Sequence, residues 1–177
     1  MSTPPHLRRP STRFRASFVD AVAEFRSEGL DDRTRSDQDL TAYPSWPSAD
    51  GFAAYVRAIT VDALDESVLP PGLVPSTRLW WTRGEQYLGR LDVRHRLTPA
   101  LTEVGGHVGY AVRPSARRQG HATAMLGEAL VVARALGLER VLVTCDADNV
   151  GSRRVIAANG GSLEDQRGPK LRFWIQT

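Results

Sequence analysis

The sequence predicts a mixed α/β fold in a single domain of 177 residues without internal repeats. Three observations predict it. Apolar residues recur at helical spacing in two N-terminal segments. β-rich runs joined by glycine turns follow them. A strand that stops at Arg113-Pro114 then leads into a long helical pattern.

The elements follow in order. Pro4 to Pro10 forbid helix and read as an extended arm or edge strand, with Ser11 and Thr12 as N-cap candidates behind it. Phe14, Phe18, Val22 and Phe25 lie three to four residues apart, an amphipathic helix ended by Gly29. Leu30 to Pro47 is polar and acidic and carries Pro44 and Pro47, which marks a loop; a second helix starts near Asp50 with Phe52, Tyr55, Val56 and Ile59 on one face. Beyond Pro70-Pro71-Gly72, Thr77–Trp81 and Tyr87–His95 form a hairpin through Arg83-Gly84-Glu85. A strand over His107–Val112 precedes a helix from His121 to Leu136 whose Met125, Leu126, Ala129 and Ala133 face the core, with Gly137 as its C-cap. Val141–Thr144 suits a buried strand, Ser152–Ala158 a short helix, and Ser162–Asp165 with Leu171–Ile175 a last hairpin through Arg167-Gly168-Pro169.

Composition narrows the function classes. Hydrophobic residues at 41% and charged residues at 24% match a globular protein and not a disordered one. No stretch of about eighteen apolar residues occurs, and the N-terminus has no apolar signal segment, so a soluble, cytoplasmic protein without membrane contact is expected. Cys145 is the single cysteine and the four histidines have no ligand spacing, so no metal is expected. Lys170 is the one lysine among 23 cations, and the net charge is only +3. The arginine pairs come without an aromatic RNA-binding signature or helix-turn-helix, which argues against a nucleic-acid partner.

The chemistry concentrates in Tyr110-Ala-Val-Arg-Pro-Ser-Ala-Arg-Arg-Gln-Gly-His-Ala, a strand, loop and helix start. Gly120 and Ala122 let a ligand approach the backbone, the first helical N–H groups are unpaired, and Arg117 and Arg118 add charged donors: a phosphate site. The pattern is neither G-x-G-x-x-G nor G-x-x-x-x-G-K-[ST], which disfavours dinucleotide and NTP folds. A strand leading to Asp146-Ala-Asp-Asn149 and then Ser152 supplies a second element.

With these two segments the sequence resembles the GNAT superfamily of N-acetyltransferases over about Trp80 to Ile175. Arg117, Gly120 and Ala122 match Arg/Gln-x-x-Gly-x-Gly/Ala, and Asn149 and Ser152 match Asn-x-x-Ala/Ser; Gly105-Gly-His-Val-Gly-Tyr110 and Cys145-Asp-Ala-Asp-Asn149 are similar to a bacterial subgroup. The resemblance implies a mostly antiparallel twisted sheet with a splayed central pair of parallel strands, flanked by about four helices. Residues 1–75 would form the acceptor side and 76–177 the sheet and cofactor core. Acetyl-CoA, leaving as CoA, would lie along the backbone of Ala111, Val112 and Arg113, with its pyrophosphate at Arg117, Arg118, Gln119, Gly120, His121, Ala122 and Thr123 and its pantetheine arm held by Asn149 and Ser152. The acceptor would be a small-molecule or peptide amine, attacking directly in a ternary complex, and the chain could form a homodimer.

One departure matters: the Tyr that many members carry seven residues after the Asn is Ile156 here, and the family's final Phe is Gly161. The leaving thiolate must then be protonated by Ser152, Cys145 or water. An attacking amine also needs to lose a proton, with His107 or Glu103 as candidate base. Tyr110 reads as core or cofactor packing, and Cys145 as a buried small hydrophobe. Asp31, Asp32, Asp37 and Asp39 could attract a cationic acceptor, and Trp46, Trp80 and Trp81 could wall its pocket. A degenerate member that binds acyl-CoA as a sensor or scaffold is the competing function.

Overall fold

The computed structural model describes residues 3–28 and 40–177. Its strands are β1 (His6–Arg8), β2 (Ser76–Arg83), β3 (Gln86–Arg94), β4 (Val108–Val112), β5 (Arg140–Asp146), β6 (Ser162–Arg167) and β7 (Lys170–Gln176). Its α-helices are α1 (Arg15–Ser27), α2 (Ala49–Thr60), α3 (Pro99–Glu103), α4 (His121–Ala135) and α5 (Val150–Ala158). Gly29 and the acidic residues Asp31, Asp32, Asp37 and Asp39 lie outside the described residues.

The strands form two antiparallel sheets in the orders β1-β2-β3-β4 and β5-β7-β6. The proline-flanked arm becomes the edge strand β1, whose Leu7 N–H is capped by the Glu128 carboxylate of α4 at 2.9 Å. Covering an edge in this way removes a site for unwanted pairing. Ser48 caps α2 by accepting from Gly51 N–H at 3.0 Å. The short α3 goes beyond the sequence reading, although its signal is local: Thr98 accepts from Leu101 N–H at 3.2 Å and Pro99 occupies the first turn.

Two apolar clusters follow from the alternation of side chains along β2 and β3. Trp81, Leu91 and Val93 face α4 and α5, where Met125, Leu126, Ala129, Ala133 and Ile156 close the main core. Trp80 faces the other way and stacks on Phe18 of α1 at 5.1 Å, among Phe14, Phe52, Tyr55 and Tyr87. Trp46 is buried in the same aromatic cluster, so Trp46, Trp80 and Trp81 are core residues. Each such large side chain contributes about 1.5–3 kcal/mol by leaving water, and the aromatic cluster is what fixes α1 and α2 on the sheet.

Candidate active site

The two sheets meet at one seam and then part. His107 N–H donates to Leu142 C=O at 2.7 Å, and the ring Nδ1 of His107 accepts from Leu142 N–H at 2.9 Å. Gly105 N–H donates to Thr144 Oγ1 at 2.9 Å. The approach demands glycine at 106, where a Cβ would lie 2.3 Å from Leu142 O and φ is +60°. From this seam β4 and β5 diverge, and Val108–Val112 of one and Thr144–Asp146 of the other line a cleft of about 890 Å³.

The edge that β4 offers to this cleft follows from its ladder. Arg94 N–H donates to His107 C=O and Arg113 N–H to Leu88 C=O, at 2.8 and 2.9 Å. In an antiparallel ladder hydrogen-bonded pairs alternate, so with this register Gly109 and Ala111 turn their backbone groups to β3, while Val108, Tyr110 and Val112 turn theirs to the cleft. Of the expected trio, Ala111 and Val112 line the cleft, and Val112, like Tyr110, also turns its backbone groups to it. Arg113 is engaged elsewhere: its guanidinium binds the Glu24 carboxylate, Ser17 Oγ at 3.1 Å and Tyr87 C=O at 3.1 Å.

The loop after β4 presents backbone donors. Arg118 at φ +63° and Gly120 at φ +80° are both left-handed, a conformation that gathers successive N–H groups into an anion-binding concavity. The first intrahelical bond of α4 runs from Ala124 N–H to Gly120 C=O at 3.1 Å, which leaves the N–H groups of His121, Ala122 and Thr123 without a partner in the helix. A Cβ on Gly120 would meet nothing within 4 Å, so the space beside its backbone is open. Arg118, Gly120, His121, Ala122 and Thr123 line the cleft. Arg117 also lines it but braces the loop, with Nε on Val112 C=O at 3.1 Å and Nη1 on Glu28 at 2.8 Å. Gln119 is not among the lining residues; its amide reaches Ser115 C=O at 3.4 Å.

Glu24 of α1 ties this loop down. Its carboxylate accepts from Arg113, from Ser115 N–H at 3.0 Å and from Ser115 Oγ at 2.9 Å. Burial raises its pKa, but the bonds from Arg113 and Ser115 outweigh that and hold it at about 2.

On the far wall Asn149 accepts from Ser152 N–H at 2.9 Å and caps α5, which leaves its amide group to the cleft it lines. Ser152 Oγ lies 2.7 Å from the Tyr110 hydroxyl. Burial pushes the Tyr110 phenol up to about 12 and raises the Cys145 thiol, so both stay protonated near neutrality. The sequence predicts core or cofactor packing for Tyr110, and a hydroxyl pair 42 residues apart has no local signal.

Neither candidate base opens on the cleft. Glu103 is exposed and paired with Arg167. His107 is 6% exposed, its Nδ1 lone pair is engaged by Leu142, and burial lowers its pKa. With Nδ1 accepting, the neutral ring carries its proton on Nε2 and has no second lone pair. Ile156 is fully buried in the main core. Among the described residues no group of three His, Cys, Asp or Glu could hold a metal ion, and no helix is long and apolar enough to cross a membrane.

The model of the acetyltransferase (GNAT) domain family matches residues 22–162, most of the chain. The chain belongs to this GNAT acetyltransferase family. No curated protein matches it. Solved GNAT structures share its fold at low identity. RimL, a ribosomal L7/L12 α-N-protein acetyltransferase with coenzyme A, is 16% identical over 99% of this chain and 95% of its own, with a TM-score of 0.67. Mycobacterium smegmatis RimJ with a CoA disulfide is 17% identical over 99% and 86%, with a TM-score of 0.65. The microcin C7 self-immunity acetyltransferase MccE, with acetyl-CoA and AMP, is 10% identical over 98% and 93%, also at 0.65. The GNAT chain described here is thus an acyltransferase, with the family's mixed, mostly antiparallel architecture and five α-helices among its described residues.

Proposed function

We propose that this GNAT protein transfers the acetyl group of acetyl-CoA to a primary amine by direct attack in a ternary complex. The observation that carries the reading is the convergence, on one cleft, of the Tyr110 and Val112 backbone edge, the left-handed Arg118–Gly120 loop and the Tyr110–Ser152 hydroxyl pair. The β4 edge takes the pantetheine arm as an added strand. The N–H groups at the start of α4 take the pyrophosphate. Acetyl-CoA supplies the activated acyl group, and the remaining work falls to the protein: holding the thioester against the β4 edge, excluding water and serving the leaving sulfur.

Tyr110 and Ser152 serve that sulfur. A thiol of ordinary pKa, about 8.5, is a stronger acid than a phenol at about 12. The pair therefore stabilises the developing thiolate by donating a hydrogen bond, and the proton follows from solvent. This arrangement replaces the absent tyrosine at Ile156 and weakens the case for a degenerate, scaffold-only member. With the His107 lone pair engaged and Glu103 turned to Arg167, the amine attacks as its free base after giving its proton to water, so the rate should follow the acceptor amine's own titration.

The test has two parts. Acetyl-CoA should raise the melting temperature by mass action, and thiol release should depend on an added amine. No shift at millimolar CoA refutes the cofactor site; a shift without amine-dependent release favours the sensor.

A further inference from the structure

Arg94, the last residue of β3, is 6% exposed, yet no carboxylate faces it among the described residues. Its Nη1 donates to the carbonyls of Gly105 and Gly106 at 3.0 and 2.9 Å. The nearest acid along its strand, Asp92, is already held by Arg78 at 2.5 Å and Arg90 at 2.8 Å. A buried cation held by neutral carbonyls alone is costly to desolvate, and structural bracing of two carbonyls does not require a charge.

Its position gives the charge a use. Arg94 lines the acetyl-CoA cleft and also a second cavity of about 440 Å³, walled by Tyr43, Ile59, Leu69, Leu73 and Val74 on the side of α2. Among the described residues it is the one common to the two linings. On the cleft side the neighbouring strand has no side chain at Gly109: a Cβ there would lie 3.7 Å from Arg94 Nη2 and 4.0 Å from Nη1. The guanidinium edge is thus left uncovered next to Tyr110, whose backbone faces the cleft.

We propose that Arg94 is the anchor for a carboxylate on the acceptor, so that the GNAT acceptor is an amine bearing a carboxylate within a few bonds. This rests on the acetyl-transfer reading above. With Nη1 donating to Gly105 and Gly106, Nη2 keeps its hydrogens for a charge-assisted hydrogen bond to a carboxylate. With the anion at Arg94 and the amine at Tyr110, one β4 residue away, the two groups sit as in a free amino acid or in a peptide that begins with an acidic residue.

The full chain is assayed for thiol release from acetyl-CoA with matched acceptors: free amino acids against the same amino acids as carboxamides, and short peptides starting with Asp or Glu against Asn or Gln. The wild type should favour the carboxylate member of a pair by at least about tenfold in kcat/KM, as for a lost charged hydrogen bond. The pair that responds tells amino acid from peptide. Arg94→Gln should abolish the preference through the acceptor KM while the KM for acetyl-CoA stays level. Because Arg94 also braces Gly105 and Gly106, Gly109→Ala is the second variant; it keeps the guanidinium while its methyl covers the open edge at contact distance, and should narrow the preference by raising KM more for the carboxylate member of each pair than for its neutral counterpart. Equal rates within every pair, or a preference that survives Arg94→Gln, overturn the anchor. If CoA binds and no amine is acetylated, the acetyl-transfer reading fails by itself, and calorimetric binding of the same acceptors decides the anchor: carboxylate-dependent binding lost in Arg94→Gln sustains it, and its absence in the wild type overturns it.

Discussion

His107 Nδ1 accepts a hydrogen bond from Leu142 N–H at 2.9 Å while His107 N–H donates to Leu142 C=O at 2.7 Å. One residue thus closes the junction of the two sheets with both its backbone and its ring. His107→Ala should cost about 2–3 kcal/mol, the scale for a buried donor left unsatisfied together with lost packing, read as a lower denaturant midpoint. The acidic limb of the rate profile should keep its shape; its selective loss in a stably folded variant would make His107 the base after all.

The same burial predicts how stability responds to pH. His107, His95 and His121 are all lowered from 6.5 chiefly by burial. A depressed histidine favours the neutral form in the folded state, so the unfolded chain binds more protons below that value. Stability is therefore full above about 6.5 and falls as the pH drops through and below it. Denaturant midpoints measured between about pH 8 and 5 should decline on the acid side, and less so in His107→Asn. A flat profile would contradict the burial of these rings.

Glu24 predicts a second, lower window and a functional coupling. Its carboxyl sits at about 2 against an ordinary 4.5, so its contribution is present above about 4.5 and is lost as the pH falls toward 2. Glu24→Gln removes the charge from its bonds to Arg113 and Ser115 and should destabilise the fold by about 1–2 kcal/mol, allowing for its partial exposure. Because Arg113 and Ser115 open the loop that leads to Gly120, CoA affinity measured by calorimetry should fall in the same variant. Unchanged affinity would mean that the loop holds its shape without α1.

Gly120 separates ligand space from fold. At φ +80° a side chain brings backbone strain of about 1–2 kcal/mol, but a Cβ meets no neighbour within 4 Å. Gly120→Val should fold with a somewhat lower melting temperature and lose the CoA-induced shift, since the branched side chain occupies the approach to the α4 N–H groups. A normal shift would place the pyrophosphate elsewhere.

What was legible in the sequence was what is local. The 3.6-residue spacing of Phe14, Phe18, Val22 and Phe25, the small residues Gly120 and Ala122 at a helix start, and the glycine turns at 84 and 168 each carry their signal within a few positions, and all lie where those signals put them. The Asn149 cap and the Gly105-Gly106-His107 run were visible as motifs, but not their partners. The ring acceptor of His107 was hidden because its donor is 35 residues away. Arg94 gave no signal, because a buried arginine in a strand pattern reads as a solvent-facing position until the tertiary fold sets it against the Gly105 and Gly106 carbonyls, without an acid among the described residues.

Tyr110 and Ile156 make opposed predictions about the leaving group. If the Tyr110–Ser152 pair stabilises the departing sulfur, Tyr110→Phe should lower kcat by about 100- to 1000-fold, the range for losing one positioned donor, with little change in the KM for acetyl-CoA. Ser152→Ala should do the same, and the double variant should lose less than the product of the single losses because the two hydroxyls act as one unit, 2.7 Å apart. Placing a phenol at Ile156 should not help: the side chain is fully buried, and its Cγ2 lies 2.3 Å from where a Cβ on Gly161 would stand, so the cavity is closed on that side. Ile156→Tyr should cost about 1–3 kcal/mol by overpacking and give no gain in turnover. Full activity in Tyr110→Phe, or restored activity when Ile156→Tyr is added to it, would move the donor from β4 back to α5.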